Sequence, residues 1–145
     1  MSNEPFVYVT YIAAKPEAVW SALTEPEFSR QYWGGELIPH DNWRVGSDWR
    51  LVPNDRKLPA RHVGEVLEHV PGKRLVLSWA DPEHKEDRTK RTRVAIEIAE
   101  VDHMVRLTIT HDELYPEMRR KIAFGWPIVL SSLKSFLETG RSLRS

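Results

Sequence analysis

One stretch constrains the fold of this chain more than any other: Tyr115 to Gly140, YPEMRRKIAFGWPIVLSSLKSFLETG. Its apolar residues are Met118, Ile122, Trp126, Val129, Leu130, Leu133, Phe136 and Leu137. They recur at three- and four-residue steps, the pattern of a helix with one buried face. Arg119, Arg120, Ser132, Lys134, Ser135 and Glu138 take the opposite side. Gly140 stands where a C-cap glycine belongs. A helix from Pro116 to Thr139 would be roughly 35 Å long at 1.5 Å per residue. A helix of that length needs a broad apolar surface to lie on, and the rest of the chain must supply it.

The preceding residues predict that surface as a sheet. Phe6 to Ala13, FVYVTYIA, reads as a strand, apolar at almost every position and so expected to be covered on both faces. Lys15-Pro16-Glu17 opens a short helix with Val19, Trp20 and Leu23 inward. Thr24-Glu25-Pro26-Glu27 fits a capping box for a second short helix, ended by Gly34-Gly35. From Glu36 to Leu114 the pattern is β. Asp48 to Val52, Arg61 to Val70, Arg74 to Trp79, the alternation around Thr92 to Ile98, and that around Val105 to Ile109 are strand candidates. Pro71-Gly72 and Asp102-His103 read as turns, and Asp81 to Lys90 as a solvated hairpin loop. The order is strand, two helices, about five or six antiparallel strands and a long helix, which predicts an α+β domain with a curved antiparallel sheet.

Composition narrows the function. At 145 residues the chain is sized for a single domain, residues 1–145. Lys+Arg and Asp+Glu both number 21, so no net charge steers it to nucleic acid or an anionic membrane. Lys85, Arg88, Lys90, Arg91 and Arg93 are interleaved with Glu83, Glu86 and Asp87, as in a mixed-charge hairpin rather than a nucleic-acid patch. Without cysteine, disulfide and thiolate chemistry are out of reach. No apolar run has membrane-spanning length, and the polar start MSNEP is not that of a signal peptide, so a cytoplasmic location is expected.

Several segments together resemble a known superfamily. They are KPEAVWSALTEPE (Lys15 to Glu27), Tyr32-Trp33-Gly34, PGKRLVLSW ending at Trp79, and GWPIVLSSLKSFLETG (Gly125 to Gly140). They are similar to the SRPBCC (START/Bet v 1-like) superfamily and, within it, to the branch of activator of heat-shock protein 90 ATPase homologues. The resemblance covers almost the whole chain. It implies the helix-grip fold, a curved antiparallel sheet around a long C-terminal helix with two short helices after the first strand. It also implies a space between sheet and helix that often holds an apolar ligand. Some relatives are cyclases, dehydratases or lipid carriers, and eukaryotic members of the branch stimulate a chaperone's ATPase.

Three functions therefore stand as expectations. The first is binding of a small apolar or aromatic ligand, the second a co-chaperone-like protein-interaction module, the third cyclase- or dehydratase-like catalysis. Trp33, Trp49, Trp79 and Trp126, with Tyr8 and Tyr11, are candidate cavity walls. Indoles offer wide apolar faces and one N–H each to orient a polar group. The helix side of the cavity is expected from Met118, Ile122, Gly125, Trp126 and Val129. Pro127 is expected to kink the helix, and Gly125 falls on the buried stripe beside it, where either the helix bends to make room for a ligand or backbone packs closely on the sheet.

Catalytic residues are not assigned. Asp48, Glu65, Glu97 and Asp112 are unpaired in spacing, and Ser78, Ser131 and Ser132 lack a nucleophile context. His62 and His69 stand seven apart and are expected on opposite faces of one strand, His62 serving as a polar group in a cavity. No histidine spacing suits a metal, so neither metal nor cofactor is expected. The oligomeric expectation is a monomer or homodimer.

Overall fold

A computed structural model describes residues 4–143, so the N-terminal reading at Met1 to Asn3 lies outside the described residues. The chain forms β1 (Phe6–Ile12), α1 (Pro16–Thr24), α2 (Pro26–Tyr32), β2 (Gly35–Pro39), β3 (Asp48–Pro53), β4 (His62–Val70), β5 (Arg74–Trp79), β6 (Thr92–Val101), β7 (Met104–Asp112) and α3 (Pro116–Thr139). The seven strands make one antiparallel sheet in the order β1-β7-β6-β5-β4-β3-β2. The sheet curls into a half-barrel with α3 along its concave side, which is the helix-grip architecture. No helix among the described residues is long and apolar enough to cross a membrane.

Alternation explains the core. Val105, Leu107 and Ile109 of β7 and Val94, Ile96 and Ile98 of β6 point inward and are buried, joined by Leu75 and Leu77 of β5. Met118, Ile122, Trp126, Val129, Leu130 and Leu133 of α3 complete the cluster. The far end of α3 is tied to β1 by Glu138, whose carboxylate accepts from the Ala13 N–H at 2.7 Å and from Lys134 at 2.8 Å. Gly140 ends the helix at φ 82°, donating its N–H to Phe136 O. α3 runs unbroken through Pro127.

Three local expectations need correction. Thr24 does not cap α2: its hydroxyl donates back to Trp20 O at 2.8 Å, and α2 begins from Glu25 with Pro26 in its first turn. β1 is not covered on both faces. It is an edge strand whose Val7, Val9 and Tyr11 (44% exposed) face outward to solvent. Tyr11 is thus no cavity wall. His62 and His69 do not face opposite sides. A bulge between Val66 and Glu68 inserts one residue and reverses the alternation. His69 stacks on Trp20 of α1 at 6.1 Å, while His62 turns towards α3.

A second irregularity lies just upstream. The β4–β5 ladder pairs Val63 with Ala80 and Val66 with Leu77, but not the residues between. There the Trp49 indole N–H donates to Ser78 O at 2.9 Å, and Glu65 N–H donates instead to Ser78 Oγ at 2.8 Å. Only glycine fits at position 64 between them, because a Cβ would overlap the Ser78 carbonyl.

Candidate ligand cavity between sheet and helix

The concave side is not filled solid. A cavity of about 130 Å³ lies between α3 and the sheet, walled by Trp33, Trp79 and Trp126 and floored by Leu51. Ile122, Gly125 and Val129 line it from α3, and Arg61, His62 and Lys121 stand at its polar end. Two larger depressions, about 410 Å³ among β2–β4 and about 720 Å³ around Arg74, Glu97 and Arg106, are not lined by α3.

The three indoles come from three elements. Trp33 follows α2, where the turn into Gly34 swings it under α3; Trp79 ends β5; Trp126 sits on the inner stripe of α3. Trp126 is their hub, with ring centroids 5.6 Å from Trp33 and 5.5 Å from Trp79. Its orientation is fixed by hydrogen bonds. Trp126 Nε1–H donates to His111 Nδ1 at 3.0 Å, and His111 Nε2 lies 2.8 Å from Thr92 Oγ1. An indole can only donate, so Nδ1 is the lone-pair nitrogen and Nε2 carries the proton. Thr92 then passes its own proton to Trp79 O at 2.7 Å. Burial pushes the His111 pKa down to about 3, with nearby His62 acting in the same direction, so the imidazole is neutral and this tautomer persists.

Gly125 lines the same space, and a Cβ built there meets nothing within 4 Å, so its backbone is not closely packed against the sheet.

The polar end is built by chain segments that the sequence kept apart. Asp81 follows β5 and is only 6% exposed, although its loop reads as solvated. Its carboxylate accepts from Lys121 Nζ at 2.8 Å and lies 3.4 Å from His62 Nδ1. Burial lowers the His62 pKa to about 4 against the pull of Asp81, helped by Lys121 and Arg61. Asp81, Glu83 and His84 bring ligand atoms within 4.8 Å of one another, but the Lys121 ammonium already holds a cation's place at Asp81.

Of the eight residues singled out from sequence, Trp33, Trp79, Ile122, Gly125, Trp126 and Val129 surround this one cavity. Trp49 and Met118 do not line it. Trp49 packs at 4.8 Å behind Trp79, tied to Ser78, and Met118 is wholly inside the core. Sequence reasoning missed Asp81, Lys121, Arg61 and His111. Among the expected carboxylates, Asp48, Glu65, Glu97 and Asp112 lie away from the cavity lining. Glu97 instead pairs with Arg74 at 2.7 Å, in a network with Glu68 and Arg93 that covers Val76 and Ala95 on the outer face.

A family model described as Activator of Hsp90 ATPase homolog 1-like protein matches residues 13–138. No curated protein matches the chain. Among solved structures, the Aha1 dimer from Colwellia psychrerythraea superposes with a TM-score of 0.75 at 21% identity, over 95% of this chain and 98% of that one. CalU16 from Micromonospora echinospora gives 0.74 at 21% identity, over 94% and 77%. Protein CV1439 from Chromobacterium violaceum gives 0.69 at 22% identity, over 93% and 98%.

Proposed function

The chain belongs to the Activator of Hsp90 ATPase homolog 1-like family, and from that premise we propose that it binds a small apolar or aromatic ligand between its curved sheet and α3. One observation carries this reading: a cavity of about 130 Å³ walled by three indoles and lined by Gly125. An apolar cavity of roughly 150 Å³ accepts benzene, so this one suits a single aromatic ring rather than a long chain or a fused ring system. Trp33, Trp79, Ile122, Trp126 and Val129 hold the ring, and Trp49 and Met118 support the wall from behind. The test is native mass spectrometry of protein purified from its own host, paired with titration of toluene followed by NMR. Ligand-free protein that also gives no toluene-induced shifts at residues of α3 would sink the proposal.

The family match itself favours a second reading, a protein-interaction module that stimulates the ATPase of a heat-shock protein 90. An ATPase assay with the purified chaperone decides it, and no stimulation at high micromolar concentration of this protein removes it. A homodimer is the corresponding oligomeric reading, tested by analytical ultracentrifugation.

A further inference from the structure

Resting on the cavity reading above, we propose that the ligand is a monocyclic aromatic carboxylate, its ring among the indoles and its carboxylate held by Arg61 at the polar end. The cavity combines two chemistries. Trp33, Trp79 and Trp126 wall it, and Arg61, His62 and Lys121 stand at its polar end. A pocket of this kind draws affinity from its apolar walls and selectivity from its few polar groups. What those groups select follows from the charge they leave unmatched.

Each charge at that end has an account. Lys121 is matched, because its ammonium donates to Asp81 Oδ2 at 2.8 Å. Asp81 is nearly buried, and its two carboxylate oxygens stand against Lys121 and His62 rather than open solvent. His62 is neutral at pH 7, since burial, then Lys121 and Arg61, hold its pKa at about 4 against the pull of Asp81. Arg61 remains. Its backbone N–H donates to the carbonyl of Leu51, the residue that floors the cavity, at 2.9 Å. Its guanidinium has no carboxylate partner among the described residues, and the side chain is exposed. Two cations and one carboxylate thus leave one positive charge uncompensated, and it belongs to an accessible side chain.

An unmatched cation beside an apolar cavity favours an anion and opposes an amine, which would bring like charge to Arg61. A carboxylate suits this cation best. The guanidinium is a planar fork that matches the two carboxylate oxygens, whereas a tetrahedral phosphate carries more charge than one arginine answers. A carboxylate attached to the ring also lies close to the ring plane, so it adds little width to the ring that a space of about 130 Å³ admits.

The test is ¹⁹F NMR titration at neutral pH and low salt, comparing 4-fluorobenzoate with 4-fluorobenzamide, its uncharged match in shape, and with 4-fluorotoluene. Expected is binding of the benzoate about fivefold tighter than the benzamide, the scale of an exposed ion pair. Salt at about 0.5 M should shrink that preference, because screening acts on accessible charges. Arg61→Met keeps the apolar stem, removes the charge and should erase it. A benzamide that binds as well as the benzoate overturns the inference in favour of a merely solvated Arg61. So does a preference that survives Arg61→Met or ignores salt. Either result leaves the cavity reading standing where 4-fluorotoluene binds, and failure of all three to bind removes both readings.

Discussion

Trp126 donates its indole N–H to His111 Nδ1 across 3.0 Å of buried space, joining the gripped helix to the last strand of the sheet by a single directed bond. The relay continues through Thr92 to the backbone carbonyl of Trp79, so the imidazole that orients the Trp126 indole is itself anchored on the end of β5. His111→Phe keeps the ring's bulk but leaves the Trp126 N–H buried without a partner. The expected loss is about 1–3 kcal/mol, the penalty for an unsatisfied buried donor. Urea unfolding measures it, and near-ultraviolet circular dichroism should report a reoriented Trp126. An unchanged urea midpoint would show that the bond contributes nothing.

The same imidazole and His62 make stability depend on pH. Burial lowers the pKa of His62 to about 4 and of His111 to about 3, both from an ordinary 6.5. In the unfolded chain both protonate as pH falls through 6.5, whereas in the folded protein they stay neutral. The unfolded state therefore binds more protons, and stability falls with falling pH. The contribution is intact above about pH 6.5, and it is lost progressively down to about 4 for His62 and 3 for His111. By pH 5 each imidazole should cost on the order of 1–2 kcal/mol relative to pH 7.5. Urea unfolding at the two pH values measures the sum, and His62→Gln should remove about half of it. A wild-type difference below about half a kcal/mol would refute the assignment.

Gly64 should be the least replaceable residue of the sheet. A Cβ there would overlap the Ser78 carbonyl and stand 2.5 Å from Trp49 Nε1. Backbone cannot yield as a flexible side chain would, so β4 must separate from β5, or Trp49 must surrender its bond to Ser78. Gly64→Ala should therefore destabilise the protein by more than about 3 kcal/mol, a size confined to severe structural conflicts. Thermal unfolding measured beside a control such as Gly72→Ala, at a turn with open space, tests this. Equal melting temperatures for the two variants would contradict the clash.

How much of this was legible in the sequence depended on how regular the local structure is. Strict alternation in β6 and β7 and the three–four spacing in α3 placed the core faces directly, because side-chain direction follows the backbone repeat. Where the repeat breaks, the reading failed. The bulge at Val66–Glu68 adds one residue and turns His69 to the same side as His62, and no residue in VGEVLEHV announces it. β1 looked doubly covered because FVYVTYIA is apolar throughout, yet position in the sheet, not composition, decides cover. Asp81 reads as a solvated loop residue because its neighbours are charged. Its burial arises only when Lys121 and His62, forty and nineteen positions away, close over it. The indole wall was partly legible because Trp33, Trp79 and Trp126 each end or centre an apolar pattern. Trp49 follows the same pattern, but its bond to Ser78 O holds it one layer further back.

Gly125 offers the most direct test of the cavity. It sits inside α3 with space beyond its Cα, so a side chain can enter without displacing backbone. Removing a mid-helix glycine should itself stabilise the helix: Gly125→Ala is expected to raise stability by about 0.5–1 kcal/mol. Gly125→Leu projects a further isobutyl group into a space of about 130 Å³. It should bury that group against Trp33, Trp79 and Trp126, leave the melting temperature unchanged or higher, and abolish toluene uptake. The two readouts separate the cavity reading from close packing, which demands that the larger side chain unfold the protein. ¹H–¹⁵N spectra of the variant with and without toluene, together with its thermal unfolding curve, give both. Retained toluene shifts along α3 would mean that the ligand enters elsewhere, and a melting temperature many degrees lower would mean that the space beside Gly125 is not there to fill.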